Sequence, residues 1–297
     1  KNMKKLTALL AVFLCLNIVP VHAATPKVLA IIDTGVDTSI PSIKNAVVYE
    51  VCVSGYKSCP NGTNLQEGAG SATITPAMYS NEAWSHGTRV LSSAITTDPN
   101  VKVIEIRCAS LIGANGFINC NQDMLTTALN WVNTNRIKYN IGAVASPLGF
   151  SVSGCPTNFS YVDPINKLIA QGVAVIFPTG NQFSITQIQS PACLPGVLAI
   201  TAVDEKGLLA QWANYSTRVD FASLGAMNVV GPNSISSFQY GTSLSIATFG
   251  AGWLQILNKK NLSYSDEYKL IKDTATIVNN KVIKQGVLAI NITKAIQ

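Results

Sequence analysis

Histidine is the scarcest chemistry-bearing residue in this chain, with two copies in 297 residues, His22 and His86. Charge is sparse as well: Asp, Glu, Lys and Arg make up 12% of the sequence, with a formal net charge of +6. Residues 1–23 carry three of the lysines and no acid, so without them the balance is +3. That excess is mild and unclustered, whereas a nucleic-acid surface needs a basic stripe, so nucleic acid is excluded as a partner. No Cys-x-x-Cys pair and no His-rich partner set exists, which argues against a zinc site. Long apolar runs are also missing: Leu6 to Val19 is too short for a comfortable bilayer span, and no later stretch reaches its length. No interior linker, low-complexity tract or internal repeat breaks the pattern, so one domain is expected. With 47% hydrophobic residues, the chain is long enough to bury a sizeable core.

The N-terminus reads as a targeting segment. Lys4 and Lys5 precede the apolar run, and Val21-His22-Ala23 supplies small residues around a cut after Ala23. Residues 1–23 are therefore expected to be a signal peptide and 24–297 the folded domain, exported to a periplasmic or extracellular location. The Lys1-Asn2 pair ahead of Met3 reads as a start-site artefact, and Cys15 as ordinary signal core. Of the seven cysteines, Cys52, Cys59, Cys108, Cys120, Cys155 and Cys193 remain, an even number in an exported chain, which suggests disulfides. Six cysteines allow fifteen connectivities. The nearest-neighbour pairing is Cys52–Cys59, Cys108–Cys120 and Cys155–Cys193.

Along the domain, apolar runs suited to buried parallel strands alternate with helical spacing. Strands are expected at 27–33, 101–106, 141–145, 173–177, 197–203 and 219–222, and helices at 121–137 and 161–170. Residues 47–83 are turn-rich and are expected to form surface loops and irregular short elements. Repeated strand–helix–strand units of this length specify an α/β fold, a mostly parallel central sheet with helices on both faces.

Three short motifs carry chemistry. The strand ending Ile31-Ile32-Asp33 runs into Thr34-Gly35-Val36-Asp37, which places a carboxylate at a strand's C-terminal tip, where open α/β sheets put their sites. Ser85-His86-Gly87-Thr88 opens a helical run, and once His22 is removed only His86 can serve as an imidazole base. Gly241-Thr242-Ser243 leads into a run of small and apolar residues, so Ser243 starts a buried helix among free backbone N–H groups. Each residue also has a plainer role open to it: Asp33 could satisfy turn amides, and Thr242 or Ser243 could merely cap the helix. The order Asp, His, Ser excludes the Gly-x-Ser-x-Gly hydrolase arrangement, in which the histidine comes last.

On these motifs, and across nearly all of the domain, the chain resembles the subtilisin-like serine proteases. The resemblance implies the subtilisin-like three-layer fold and serine endopeptidase activity on polypeptide substrates. It implies Asp33, His86 and Ser243 as the catalytic residues. Asn181, after Gly180, is similar to the family's oxyanion asparagine, which would act with the Ser243 backbone N–H. Pro147-Leu148-Gly149 looks like the strand that pairs with substrate and walls the primary specificity pocket. No cofactor is implied for the chemistry. A structural calcium is raised by the resemblance, although no compact carboxylate-rich loop stands in the sequence. The chain departs from the family pattern at Leu244-Ser245-Ile246-Ala247 after the serine, at Arg89 after His-Gly-Thr, and at Pro147, which cannot donate a backbone hydrogen bond. Only residues 24–32 separate the expected cut from Asp33, so no folding propeptide is expected. A monomer without a membrane span is expected. The runner-up reading is a catalytically silent subtilisin-like domain that binds peptides or partners.

Overall fold

The structure is a computed structural model that describes residues 25–112, 116–151, 154–280 and 285–297. The expected signal peptide lies outside the described residues. The first strand, β1 (Val28–Asp33), shows how the fold is built. All six residues are buried, but alternate side chains point to opposite faces of the sheet. Val28, Ala30 and Ile32 enter one core, while Leu29 and Ile31 enter the other. Burying each large side chain contributes about 1.5–3 kcal/mol. By the same parity Asp33 belongs to the face of Leu29 and Ile31.

After β1 come α1 (Pro41–Ala46), β2 (Val47–Val53), β3 (Leu65–Glu67), α2 (Glu82–Thr97), β4 (Val103–Ile112) and β5 (Gly116–Asn119). The middle of the chain supplies α3 (Gln122–Asn135), β6 (Ile141–Ala145), α4 (Val162–Ala170), β7 (Ala174–Pro178), β8 (Leu198–Val203) and β9 (Phe221–Leu224). A hairpin, β10 (Ala226–Val230) and β11 (Ser236–Tyr240), leads directly into the long helix α5 (Thr242–Lys260). The chain ends with α6 (Tyr264–Thr274), β12 (Thr276–Asn280), β13 (Gln285–Ala289) and α7 (Ile292–Ile296).

The main sheet runs β12-β13-β9-β8-β7-β6-β1-β4-β2-β3, with β5 added to β4. From β13 to β2 every neighbouring pair is parallel, and antiparallel strands cap the two edges. One face is covered by α3 and α4 through Leu125, Leu129, Ile165 and Leu168. On the other face, α2 and α5 pack with α1, α6 and α7 through Leu91, Ile246, Phe249, Trp253 and Ile271. The expected three layers with a mostly parallel sheet are therefore observed. No helix among the described residues is long and apolar enough to cross a membrane.

The expected strands and helices all form, within two residues of the expected bounds except β4, which runs on to Ile112 past its expected end at 106. Residues 47–83 depart from expectation. They hold β2, a regular strand that pairs in parallel with β4 inside the main sheet, where only surface loops and irregular short elements were expected. Glu50 interrupts the apolar pattern of β2, and its buried carboxylate is satisfied by the Gly70 and Ala72 N–H groups and the Thr73 hydroxyl. The three disulfides join Cys52–Cys59, Cys108–Cys120 and Cys155–Cys193, the nearest-neighbour pairing.

Candidate active site

Parity places Asp33 at the end of β1 under the helices α2 and α5, and the carboxylate is 1% exposed. Its Oδ1 accepts the Thr34 N–H at 2.7 Å and lies 2.8 Å from His86 Nδ1, with Oδ2 at 3.1 Å. A carboxylate only accepts, so Nδ1 carries the proton and Nε2 is left as the ring's acceptor. His86 sits in the second turn of α2, with 39% of its side chain exposed.

The helix is held against the loop after β1 at several points. Gly87 N–H donates to Thr34 Oγ1 at 3.1 Å, and Asp37 N–H donates to Thr88 Oγ1 at 3.0 Å. A Cβ at Gly87 would collide with the Gly35 carbonyl oxygen, so glycine at 87 is what lets helix and loop approach. The motif residues around the histidine thus set its distance from the carboxylate.

Burial pulls the His86 pKa down, but the charge and hydrogen bond of Asp33 outweigh it, and the net direction is upward. Arg89, one turn along, opposes that rise with its own positive charge. Arg89 is ion-paired with Glu82, whose carboxyl it holds below the usual range. Behind the site, burial and the charges of Asp33 and Glu50 push the fully buried Glu105 carboxyl well above its ordinary range.

Ser243 lies in the first turn of α5 and is partly exposed. The residue before this helix, Gly241, offers no side-chain cap. The cap comes from a distant loop: Asn181 Oδ1 accepts both the Thr242 N–H at 3.0 Å and the Thr242 hydroxyl at 2.9 Å. The other end of that amide, Nδ2, is a donor. A Cβ built on Gly241 would lie 3.7 Å from that Nδ2 and 3.8 Å from the Ser243 backbone nitrogen. The two donors therefore flank one space, which the absence of a side chain at 241 keeps open. An oxygen that gains negative charge there would meet preorganised donors at a helix N-terminus.

The loop carrying Asn181 is organised by Asn214, which is 4% exposed. Its Oδ1 accepts the N–H groups of Gln182 and Ser184, and its Nδ2 donates to the Thr179 carbonyl and to Gln182 Oε1. Pro147, Leu148 and Gly149 continue from β6 and border a cleft of about 460 Å³ that also contains Asp33, His86, Arg89 and Gln189. Asp33 and His86 are thus in direct contact, Pro147–Gly149 lines the same cleft, and Asn181 is joined to the helix that bears Ser243. Asn214, Arg89 and Gln189 are the site residues that sequence reasoning did not single out for a role. Asn and Gln in loops carry no signal of this kind, whereas Arg89 was visible as a departure beside the histidine. Among the described residues no group of three or more His, Cys, Asp or Glu side chains is placed to hold a metal ion.

Comparison with known proteins supports the same family. A family model described as the subtilase family matches residues 26–287. Fervidolysin from Fervidobacterium pennivorans is 24% identical over 210 residues, which cover 70% of this chain and 28% of that protein. Thermitase from Thermoactinomyces vulgaris is 23% identical over 274 residues, 91% of this chain and 88% of thermitase. The chain spans 56% of the thermophilic serine proteinase of Bacillus sp. (strain AK1). Among solved structures, the prenylagaramide maturation protease PagA superposes with a TM-score of 0.69 at 17% identity, over 92% of this chain and 93% of that one. The nisin leader peptidase NisP of Lactococcus lactis gives 0.70 at 14% identity, over 92% and 87%. At these identities the superpositions speak for the fold.

Proposed function

Since this chain belongs to the subtilase family, we propose that it is an exported serine endopeptidase, with residues 24–297 as its catalytic domain. The observation that carries this reading is His86 Nδ1 held on the Asp33 carboxylate at 2.8 Å, on the helix α2 that packs against the helix Ser243 opens.

In the proposed reaction Ser243 Oγ attacks the peptide carbonyl carbon while His86 Nε2 takes the hydroxyl proton. The carbonyl π pair moves to oxygen, and that oxyanion is held by Asn181 Nδ2 and the Ser243 N–H. Collapse breaks the C–N bond as His86 returns the proton to the departing amine, leaving an ester on Ser243. Water, deprotonated by the same imidazole, then hydrolyses the ester. Asp33 keeps the imidazole in the required tautomer and stabilises the imidazolium. The reaction needs neither metal nor organic cofactor. Its substrates are polypeptides. The three disulfides fit an oxidising compartment outside the cytoplasm.

A fluorophosphonate probe tests the reading on the purified protein. Covalent labelling at Ser243 that is lost in Ser243→Ala, with peptide hydrolysis reduced by several orders of magnitude in His86→Ala, is the expected result. An unlabelled wild type would favour the catalytically silent binding module. A folded His86→Ala protein with near-normal turnover would sink the mechanism, because no other histidine exists in residues 24–297.

A further inference from the structure

We propose that Glu105 sets the alkaline limit of this site: it is a carboxylic acid buried behind Asp33, and loss of its proton disables the Asp33–His86 pair. This rests on the endopeptidase reading. Strand β4 lies between β1 and β2 in the main sheet. In register, Glu105 stands beside Ile31 of β1 and Glu50 of β2, and Arg107 stands beside Asp33. Paired residues of parallel strands, and residues two apart on one strand, project to the same face. Glu50, Glu105, Arg107 and Asp33 therefore share the face that α2 and α5 cover. Each is under a tenth exposed, and Glu105 is 0% exposed.

The three carboxyl groups differ in what they receive. Asp33 accepts the Thr34 N–H and the His86 Nδ1 proton, and Glu50 accepts two N–H groups and the Thr73 hydroxyl. Neither oxygen of Glu105 has a hydrogen-bond partner. The cation on this face is turned elsewhere: the Arg107 guanidinium lies 4.7 Å from the centre of the Trp84 ring and donates to the Ser58 carbonyl at 3.2 Å. Among the described residues Arg107 forms no ion pair. On α2, the titratable side chains Glu82, His86 and Arg89 line the cleft. An ionised carboxylate without donor or counter-ion is not tolerated in a dry interior, and such a group keeps its proton instead. Burial and the charges of Asp33 and Glu50 act in the same direction on Glu105.

The Gly35 backbone connects this acid to the histidine. It lies close enough to the Glu105 carboxyl to favour the ionised form, but that is the smallest of the influences on the group. On the helix side it meets Gly87, where a Cβ would collide with the Gly35 carbonyl oxygen and lie 3.1 Å from the Gly35 nitrogen. Gly87 follows His86 in α2, and the loop after β1 holds that helix through Thr34 and Thr88 as well. Once Glu105 ionises, the donors of Asp33 and Glu50 are already engaged, and the new anion repels both. Its charge is met only by drawing in the Gly35 N–H or water. Either displaces the loop on which Gly87 rests, and with it the contact from His86 Nδ1 to Asp33. Ionisation of Glu105 thus ends the proposed turnover without touching substrate.

The test measures kcat/KM of purified wild type, Glu105→Gln and Glu105→Leu on one peptide, from neutral to strongly alkaline pH. Rates are normalised to sites labelled by fluorophosphonate, and each profile to its own plateau. Wild type is expected to lose about tenfold per pH unit beyond its plateau, as a single ionisation requires. The variants have no proton to lose at 105, so their plateaus should extend at least about one pH unit further, a tenfold gain there over wild type. Infrared difference spectra, wild type minus variant, give a readout independent of turnover. They should show the C=O stretch of an un-ionised carboxylic acid at neutral pH, disappearing at the midpoint of the wild-type limb; Glu267, common to both proteins, cancels. The leucine variant carries both measurements if the glutamine variant fails to fold. A missing band at neutral pH, a band with a different midpoint, or variant profiles that fall where wild type falls would each overturn this proposal alone. A wild type that fluorophosphonate does not label overturns the endopeptidase reading and this proposal with it.

Discussion

The proposed reaction gives Asn181 two tasks, one at each end of its amide, and a pair of substitutions separates them. Oδ1 caps α5 through Thr242, while Nδ2 faces the space beside the Ser243 N–H. Asn181→Ala removes both ends. Losing a cap of this type costs about 0.5–2 kcal/mol. In a domain of this size that lowers the melting temperature by roughly 2–4 °C per kcal/mol. Losing an oxyanion donor costs about 10²–10³-fold in kcat, with little change in KM, because the charge it meets exists only in the transition state. Asn181→Asp keeps the acceptor on Thr242, and its negative charge at a helix N-terminus adds about 0.3–1 kcal/mol of stability. Where the amide donated, however, it places a second carboxylate oxygen that repels the developing oxyanion.

The expected pattern is therefore crossed. Alanine loses stability and turnover, whereas aspartate keeps its melting temperature and loses turnover by at least about 10²-fold. Steady-state kinetics normalised by active-site titration, run beside thermal melts of both variants, give the two readouts. An aspartate variant that retains wild-type kcat per titrated site would refute the oxyanion assignment and leave Asn181 a capping residue only.

Two further outcomes follow from charged groups. The His86 pKa lies above its ordinary 6.5, and a general base must be neutral, so kcat/KM should rise with pH along an acid limb centred above that value. Because Arg89 holds this pKa down, Arg89→Ala should move the limb to higher pH; a pH–rate profile with an unmoved or lowered limb would contradict the assignment. On α6, burial pushes the Glu267 carboxyl from 4.5 up to about 9, opposed in part by the Leu257 backbone. Between those values the folded chain keeps a proton that the unfolded chain releases, so stability falls as pH rises across the window, by roughly 6 kcal/mol as a ceiling. Glu267→Gln should flatten that decline in denaturant unfolding between pH 6 and 9, and an unchanged slope would refute the burial argument.

Much of this architecture is legible because parallel strands buried on both faces read as continuous apolar runs. The run Val28–Ile32 announces β1 without any knowledge of its partners, and its parity already assigns Asp33 to one face. The strand β2 was harder to see. Its parallel partner β4 lies some fifty residues away, and Glu50 breaks its apolar pattern with a carboxylate that the distant N–H groups of residues 70 and 72 and the Thr73 hydroxyl make tolerable. The disulfides were readable because consecutive cysteines pair in chain order, first with second, third with fourth and fifth with sixth.

Within the site, the same distinction separates Asp33, His86 and Ser243 from Asn214 and Gln189. The first three sit at ends of regular elements, where a strand tip, the second turn of a helix and a helix N-terminus each leave a mark in residue spacing. Asn214 and Gln189 lie in loops, and their places come from carbonyls and N–H groups at Thr179, Gln182 and Ser184 and from the two glycines, 149 and 180. Loop backbone geometry is set by the sum of such contacts, which no local spacing encodes. The candidate triad is therefore placed by the sheet and the two helices above it, where patterning is strong. The loop that carries Asn181 is held by side-chain amides, where the sequence carries no period to read. That division explains why the family resemblance reached the candidate triad and the Pro147–Gly149 segment but stopped short of Asn214, which organises the loop that carries Asn181.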